Sequence, residues 1–327
     1  MGQTQLSEML SLMLKKGFHQ FITSAARGLL VLSGPSRETT RNDLIESNPS
    51  ESLAKLIEES SIDSLVIQGR LGTFEGPASD TAITQKLALS GEWSPKLIES
   101  IIAFFGRNRS GTYLDIGANI GLTCIPIAAC SINTVAIEAN PKNFIFLERN
   151  RTRNDVTEHL ELHNLALSNR SGHTILELSP NNHGDNRLRT EPSQSLIGED
   201  TWETLTVNAS TLDELLPNLQ QPIFIKMDVQ GAEPLVLEGG QKTFGQASKI
   251  HFEFSPYNME RMRTRPDPLI QLLDSFPIAS AFECEENLAI RSGTGSELGS
   301  FLVNYYAKHK STPYGKYLNI VAERDIT

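Results

Sequence analysis

The chain has 327 residues and an ordinary globular composition, enough for one large α/β domain with an extension or for two domains. Its formal net charge of -10 argues against a general affinity for nucleic acids or anionic membranes. Its three cysteines include no C-x-x-C pair, which argues against a disulfide framework or a zinc site and favours reduced thiols in a cytoplasmic protein.

Residues 1–79 are expected to form a helical extension, separate from a domain that spans 80–327. An apolar stripe with helical spacing covers 6–14, and an acidic, helix-compatible segment covers 42–59. Neither segment carries residues that suggest chemistry. The stripe is amphipathic, but the acidity of the chain argues against membrane contact, and no apolar run is long enough to span a bilayer.

After the extension, predicted strands and helices alternate, which is typical of a parallel sheet with helices on both faces. Helices are expected within 81–105, in the segment that Asn140 and Pro141 cap, and from 210 or 211 to 216. The polar segment 181–200 is expected to be a loop. The expected strands are 112–114, 135–137, 160–162, 174–178, 223–227, 250–254, 278–282 and 318–322.

A glycine-rich turn follows the first strand of this domain and is the most informative segment of the chain. It reads D-x-G-x-N-x-G, with Asp115, Gly117, Asn119 and Gly121 at the named positions. Such a turn between a strand and a helix lets the backbone approach a ligand closely. The spacing differs from the G-x-G-x-x-G that binds a pyrophosphate, and an aspartate disfavours phosphate but suits a cation. The turn therefore favours S-adenosylmethionine (SAM), whose amino-acid end carries an ammonium group, over the nicotinamide cofactor of an oxidoreductase.

Two later segments extend the predicted cofactor site. Glu138 ends the second strand, where an acidic residue in nucleotide-binding α/β folds accepts hydrogen bonds from the ribose hydroxyls. After the third strand, the small side chain of Ala166 leaves room for an adenine ring, and Asn164 is placed to hydrogen-bond its edge. A surface glutamate and an ordinary connection between strands are the alternative interpretations of these two segments.

The segment from Lys226 to Glu233 follows an apolar strand and places Asp228 at the carboxyl edge of the sheet, beside the expected methyl donor. Asp228 is a candidate to orient the acceptor, to act as a base or to bind the SAM ammonium group, and Lys226 is a second candidate base. Gln230 and Glu233 lie in the same turn and are candidate acceptor contacts. The alternative is that Asp228 only caps the following helix.

His251 and Glu253 lie on the neighbouring predicted strand, and alternation puts both on one face. Because buried titratable groups need partners, either one is a candidate base for an acceptor hydroxyl, or both belong to a buried polar network. Asp228, Glu233 and Glu253 also offer oxygen ligands to a hard cation, but the chain lacks the ligand spacing of a metal site, and we expect no metal.

Five segments of the chain together resemble the FkbM family of SAM-dependent methyltransferases. They are 114–123, 136–141, 166–168, 211–216 and 225–233, and the resemblance covers roughly 80–322. It implies an α/β class I (Rossmann-like) methyltransferase fold, in which helices cover both faces of a seven-stranded, mostly parallel sheet with one reversed strand near its end. It also implies SAM as the cofactor and methyl transfer to a hydroxyl, often on a sugar or a secondary metabolite. Ala139 departs from the pattern, since such families often carry proline there.

We expect a small-molecule or glycan acceptor and no nucleic acid partner. Trp93 and the loop 181–200, which includes His183, are placed to contact the acceptor and to exclude water. A protein that keeps this fold as a non-catalytic, SAM-binding scaffold is the main alternative. The intact acidic residues of the site argue against that alternative.

Overall fold

Eight strands form the central sheet of the computed structural model, which describes residues 21–24, 29–33, 53–54, 57–58, 63–189, 196–283, 289–313 and 316–324. In spatial order these strands are β15 (Arg291–Gly293), β14 (Ile278–Phe282), β16 (Leu318–Glu323), β13 (Lys249–Phe254), β12 (Ile223–Met227), β5 (Thr112–Ile116), β6 (Asn133–Ile137) and β7 (Leu160–His163).

Strands β7, β6, β5, β12 and β13 run parallel, whereas β16 is antiparallel to both of its neighbours, β13 and β14. The seven strands from β14 to β7 therefore confirm the mostly parallel sheet with one reversed strand. The eighth strand, β15, adds an antiparallel edge beside β14. We did not predict it, because a strand of three residues is too short to establish an alternation pattern.

Helices cover both faces of the sheet. They are α1 (Thr84–Ser90), α2 (Pro95–Phe105), α3 (Cys124–Ala128), α4 (Pro141–Arg153), α5 (Leu212–Leu215), α6 (Glu233–Glu238), α7 (Gln241–Gln246), α8 (Pro256–Arg261), α9 (Asp267–Leu273) and α10 (Gly295–His309). Because side chains alternate across a strand, Tyr113 and Phe224 pack in one core with α1 to α4, and Leu114 and Ile225 pack in a second core with α5 to α10. Within the described ranges, no helix has the length and apolarity needed to cross a bilayer.

A second, four-stranded sheet is inserted in the chain between β7 and β12. Its strands, in spatial order, are β10 (Arg187–Arg189), β9 (Gly172–Leu178), β11 (Glu203–Ser210) and β8 (Ala166–Leu167). The expectation of a continuous loop over 181–200 is wrong for β10 and for a 3-10 turn at Glu199–Thr201, and 190–195 lies outside the described residues. The three residues of β10 include one apolar side chain, so it is pairing with β9 that makes this segment a strand.

The N-terminal part also contains a sheet. Its strands are β1 (Phe21–Ser24), β2 (Leu29–Ser33), β3 (Ser64–Gly69) and β4 (Gly72–Pro77), paired in that order. The expected helical extension is therefore wrong for these residues, because their extended backbones pair with strands rather than coil as helices. The stripe at 6–14 lies outside the described residues, and within 42–59 the structure describes only 53–54 and 57–58, which are helical.

Two asparagines, one in α4 and one directly after it, take the place of a neighbouring strand on the outer edge of β4. Asn150 accepts a hydrogen bond from the N–H of Glu75 (2.6 Å) and donates one to the carbonyl of the same residue (2.8 Å). Asn154, directly after α4, makes the same pair of bonds with Thr73, at 2.9 and 2.8 Å. The spacing matches because four helical residues rise about 6 Å and two strand residues rise about 6.6 Å.

The same asparagines connect β4 to the rest of the domain. Asn150 also donates to the carbonyl of Ile120, in the glycine-rich turn, at 2.9 Å. Arg149 and Arg153 of α4 bind the Glu75 carboxylate at 3.0 and 2.8 Å. The division of the chain at residue 79 stays a prediction, but β4 is built into the packing of the domain that follows it.

Replacing Asn150 with leucine keeps the branched outline of the side chain but leaves three buried backbone groups without this partner: the N–H and carbonyl of Glu75 and the carbonyl of Ile120. At about 1–3 kcal/mol for each buried polar group left unpaired, we expect the free energy of unfolding to fall by about 3 kcal/mol or more. Urea denaturation measures this difference. The matched control is Asn304→Leu on the exposed face of α10, where we expect a change within about 0.5 kcal/mol. A loss below about 1 kcal/mol for Asn150→Leu would contradict the structural role of this side chain.

Candidate active site

The site begins where β5 and β12 end side by side. Gly117 has a φ of +85°, and a β-carbon at this position would lie 1.9 Å from the carbonyl oxygen of Asp228. Only glycine fits such a conformation and such an approach. The N–H of Asp228 donates to the carbonyl of Ile116 at 2.9 Å. The glycine-rich turn and Asp228 are therefore in backbone contact at the carboxyl edge of the sheet.

Glu138, at the end of β6, is buried and faces the same edge. One carboxylate oxygen accepts the N–H of Asn119 (2.9 Å) and the other accepts the N–H of Asn140 (2.8 Å). Asn119 has a left-handed φ of +52°, which turns its N–H toward this carboxylate. Burial raises the pKa of Glu138 to about 7, although the hydrogen bonds from Asn140 and Asn119 work to lower it. The carboxylate is thus held in part by the glycine-rich turn, which precedes Glu138 in the chain.

Lys226 is a buried cation in this site. Its Nζ lies 3.0 Å from Oδ1 of Asp115, which is fully buried behind it. Burial works to lower the pKa of Lys226, but the carboxylates of Asp115 and Asp228 raise it above its usual value. A lysine that stays protonated cannot act as a base, which argues against that predicted role. Oδ2 of Asp115 is buried and has no hydrogen-bond partner within the described part of the chain.

Asp228 and Glu253 share one amide donor. The Nε2 group of Gln230 donates to Oδ1 of Asp228 at 2.7 Å and to Oε1 of Glu253 at 3.3 Å. Burial, and then the charge of Asp228, raises the pKa of Glu253 well above its usual value. The pair therefore consists of a carboxyl group that favours its neutral form and a neighbouring aspartate.

His251 lies two residues before Glu253 on the same face of β13, as alternation predicted. Burial, together with the positive charges of Lys226 and Lys249, lowers the pKa of His251 to about 3. The imidazole is therefore neutral near pH 7. Its Nδ1 atom is buried and finds no partner among the described residues, so it is available to a ligand or a water molecule.

A cavity of about 360 Å³ connects these groups. Such a volume lies within the usual range for a small-molecule site. Following the strand order, its wall runs from Glu138 after β6, through Gly117 and Asp228, to His251 on β13 and Asn319 on β16. The site residues predicted from the sequence that line this cavity are Trp93, Gly117, Asn119, Glu138, Ala166, His183, Lys226, Asp228, His251 and Glu253.

Five predicted site residues do not line the cavity, and their side chains or backbones contact neighbouring residues instead. Glu233 is fully buried and accepts the N–H groups of Val229 (3.0 Å) and Gly231 (2.9 Å), which closes the turn after β12. This placement corrects the expected contact between Glu233 and the acceptor. Gln230 also lies outside the lining, and its amide binds the two carboxyl groups and the side chain of Asn258; its contact with the acceptor stays a prediction.

The other three belong to the predicted cofactor site. Asn164 donates from its amide nitrogen to the carbonyl of Glu138 at 2.9 Å, and its contact with an adenine edge stays a prediction. Gly121 has a φ of +93° and lets the turn pack against Ile125, since a β-carbon there would lie 2.6 Å from Cδ1 of that residue. Asp115 does not line the cavity itself, but it contacts Lys226, which does.

The segment around His183 closes over the cofactor side of the cavity. The carbonyl oxygen of His183 accepts hydrogen bonds from the side-chain amides of Asn119 (3.1 Å), Asn143 (3.1 Å) and Asn186 (2.9 Å). Trp93 lines the same cavity, and the ammonium group of Lys86 lies 4.9 Å from its ring centroid. The described part of the expected covering loop is thus anchored by several directed hydrogen bonds.

Several residues that line the cavity were not predicted from the sequence. Asn319 and Val321 of β16 and Leu188 of β10 belong to the wall, together with Leu176 of β9. Alternation along β16 was a usable signal, because it places Asn319 and Val321 on one face. The two leucines come from the inserted sheet, and no local pattern indicates which part of the domain that sheet covers.

Metal binding remains untested. Among the residues that the structure describes, no group of three His, Cys, Asp or Glu side chains is arranged to hold a metal ion. The expectation of a metal-free site stays a prediction.

The Lys226–Asp115 pair generates a prediction about stability. Lys226→Met leaves the buried Asp115 carboxylate without its cation, and we expect the free energy of unfolding to fall by about 3–5 kcal/mol. Because replacing both members with apolar groups removes the uncompensated charge, Lys226→Met combined with Asp115→Leu should recover most of that loss. Chemical denaturation of the wild type, the two single variants and the double variant tests this. Losses that simply add would mean that the two side chains are not energetically coupled.

Several similar solved structures come from archaea. TYW2 from P. horikoshii, in complex with MeSAdo, is 12% identical over 98% of this chain and 97% of that chain, with a TM-score of 0.37. TYW2 from M. jannaschii, in complex with AdoMet, is 14% identical over 80% of this chain and 87% of that chain, with a TM-score of 0.38. A tRNA (uracil-54, C5)-methyltransferase from Pyrococcus abyssi, in complex with S-adenosyl-L-homocysteine, is 10% identical over 90% of this chain and 55% of that chain, with a TM-score of 0.37.

A search among curated proteins found no match to the sequence. A family model described as the methyltransferase FkbM domain matches residues 115–283. The matched region holds the glycine-rich turn, Glu138, Asp228, and His251 and Glu253 of β13. It covers more than half of the 327 residues, and the chain belongs to the FkbM methyltransferase family.

Proposed function

We propose that this protein is a SAM-dependent methyltransferase that methylates a hydroxyl group of a sugar, glycan or secondary metabolite. One observation carries the proposal: a single cavity joins Glu138 and Ala166 on one side of the glycine-rich turn to Asp228, His251 and Glu253 on the other side. A cofactor with an adenosyl end and a reactive methyl group needs such a continuous space beside the acceptor.

The residues of the cavity fit SAM. Glu138 is the group for the ribose hydroxyls, since its carboxylate is fixed at the end of β6 and lines the cavity. The apolar side chains of Ala166, Leu176 and Leu188 suit the adenine ring. Lys226 is a protonated side chain on the wall and suits the carboxylate of the amino-acid end. Asp115 serves this end indirectly, by fixing Lys226.

Bound SAM supplies an electrophilic methyl group, and the side chains of this protein position the acceptor and take its proton. Asp228 is the base that we favour, because it lies at the junction with the glycine-rich turn and lines the cavity. Glu253 favours its neutral form and can donate a hydrogen bond to an acceptor oxygen. His251 is neutral, and its unpaired Nδ1 atom accepts or donates a hydrogen bond according to the tautomer of the ring.

The lining of the cavity supports a neutral, hydroxyl-bearing acceptor. The aromatic rings of Trp93 and Phe282 and the amide of Asn319 line it together with His251 and Glu253. Aromatic surfaces and uncharged hydrogen-bonding groups suit sugars and hydroxylated metabolites better than phosphate backbones. Lack of a nucleic acid partner and a cytoplasmic location are part of the same proposal, supported by the net charge of -10 and the cysteine pattern.

Cofactor binding should depend on pH through Glu138. Its carboxylate must be ionised to accept ribose hydroxyls as well as the two backbone N–H groups, and its pKa is about 7. We therefore expect the affinity for S-adenosylhomocysteine to fall by up to about tenfold per pH unit as the pH drops below that value, because binding must displace one proton. Calorimetric titration across this range measures the slope. Glu138→Gln is the matched control and should bind weakly with no such slope; an equal slope in both proteins would assign the titration to another group.

Methyl transfer should depend on Asp228. With labelled SAM and a panel of sugars, glycans and hydroxylated metabolites, we expect Asp228→Asn to lose a factor of about 100 or more in kcat/KM, the usual contribution of a general base. Binding of S-adenosylhomocysteine should be almost unchanged, which separates loss of chemistry from loss of folding. Near-normal turnover of Asp228→Asn would rule out its role as the base. Cofactor binding without transfer to any acceptor would favour the scaffold alternative instead.

A further inference from the structure

The amide of Gln230 has a direction that matters for the site. Its Nε2 group faces both carboxyl groups, Oδ1 of Asp228 at 2.7 Å and Oε1 of Glu253 at 3.3 Å. The opposite orientation would point an amide oxygen at the same carboxyl oxygens and would repel an ionised carboxylate. An ionised carboxylate therefore favours the observed orientation, and a matching preference at the oxygen end of the amide would reinforce it.

Asn258 of α8 supplies that preference. Its Nδ2 group donates to Oε1 of Gln230 at 3.1 Å, so the oxygen end of the Gln230 amide is occupied on the far side of the carboxyl groups. Asn258 is buried, 6% exposed, and Gly231 lets it approach, because a β-carbon at 231 would lie 2.7 Å from the carbonyl carbon of Asn258.

Arg187 of β10 sets the direction of Asn258 in turn. Its NH1 group donates to Oδ1 of Asn258 at 2.8 Å. A guanidinium group has only donors, so the oxygen of the Asn258 amide must face it and the nitrogen must face Gln230. The direction of both amides follows from one residue that cannot accept a hydrogen bond.

Arg187 is itself held firmly. It is 3% exposed, and its guanidinium group contacts Asp185 at 2.5 Å and Glu199 at 3.0 Å. Its guanidinium carbon lies 4.9 Å from the ring centroid of Trp202, and Glu199 also accepts the hydroxyl of Tyr257 at 2.7 Å. These contacts join the segments on both sides of 190–195 to the chain of amides.

We propose that Arg187 and Asn258 are positioning residues that orient the Gln230 amide so that its NH2 group bridges Asp228 and Glu253. Asn258 lies outside the lining of the cavity, whereas Arg187 is part of it; in this scheme both act through Gln230. Their role in catalysis rests on the proposed methyl transfer, whereas the orientation itself does not. The other charged groups that act on Glu253 are Glu233, Asp185 and Lys226, and each of them is held by contacts that do not involve Asn258.

The orientation can be measured without an acceptor. A neutral Glu253 has a carboxylic acid carbonyl whose infrared stretch moves to higher wavenumber when it loses a hydrogen bond. The band is assigned by subtracting the spectrum of Glu253→Gln. Asn258→Asp keeps the shape of the side chain and its contact with Arg187 but removes the donor to Gln230. We expect this variant to shift the Glu253 band upward, in the same direction as Gln230→Leu.

Two controls make the result specific. Asn304→Asp, on the exposed face of α10, adds the same charge and should leave the band unchanged. In a Gln230→Leu background, Asn258→Asp should cause no further shift, because the amide through which it acts is gone. If Asn258→Asp does not fold, Asn258→Ser repeats the test with an uncharged side chain too short to reach Gln230.

A Glu253 band that stays in place in Asn258→Asp but shifts in Gln230→Leu would overturn the proposal, and so would equal shifts in Asn258→Asp and Asn304→Asp. Calorimetric titration with S-adenosylhomocysteine is run on the same samples. A wild-type protein that fails to bind this ligand yet shows the expected infrared shifts would reject the proposed function and leave the positioning role intact.

Discussion

The active site depends on one backbone contact, between the carbonyl oxygen of Asp228 and the turn at Gly117. No β-carbon fits at position 117, since it would lie 1.9 Å from that oxygen. The contact sets the ends of β5 and β12 side by side, and it brings the carboxyl group of Asp228 to the turn that binds Glu138 through Asn119. Lys226 and Asp115 pair across the same two strands, two residues before the junction on each strand. A displaced turn would therefore move together the groups that we propose for cofactor binding and for catalysis.

Loss of solvent is the main cause of the unusual protonation in this site. Burial raises the pKa of Glu138 and Glu253 and lowers that of His251, so all three groups favour their neutral forms near pH 7 or below. Lys226 differs because two carboxylates oppose the effect of burial on it. The cavity is consequently lined by few unpaired charges. Recognition in such a space is governed by the direction of hydrogen bonds and by shape, which suits a neutral acceptor better than a charged polymer.

Local signals predicted the parts of the structure whose causes are local. The apolar run of β12, the Asn140 cap of α4 and the glycine-rich turn each follow from a few adjacent residues, and the structure has all three. The predictions were wrong where a side chain turns back to a backbone group, as with Glu233. They were also wrong where a strand exists only through its partner, as with β10. A carboxylate at the edge of a sheet looks the same in a sequence whether it faces a ligand or closes its own turn. The sheet formed by β1 to β4 was not predicted either, because each of its strands exists through pairing with its neighbours.

Buried asparagine and glutamine side chains connect the separate parts of this domain, and their chemistry explains why they suit that task. An amide both donates and accepts, so Asn150 can replace a strand at β4, where a carboxylate or an amine could make only half of the pair. The same property makes an amide ambiguous, because its two ends are nearly alike in shape. The ambiguity is removed at Gln230 and Asn258 by Arg187, which has no acceptor to offer. An arginine in the inserted sheet can thus determine which end of an amide faces two carboxyl groups in the central one, with no contact between the arginine and those carboxyl groups.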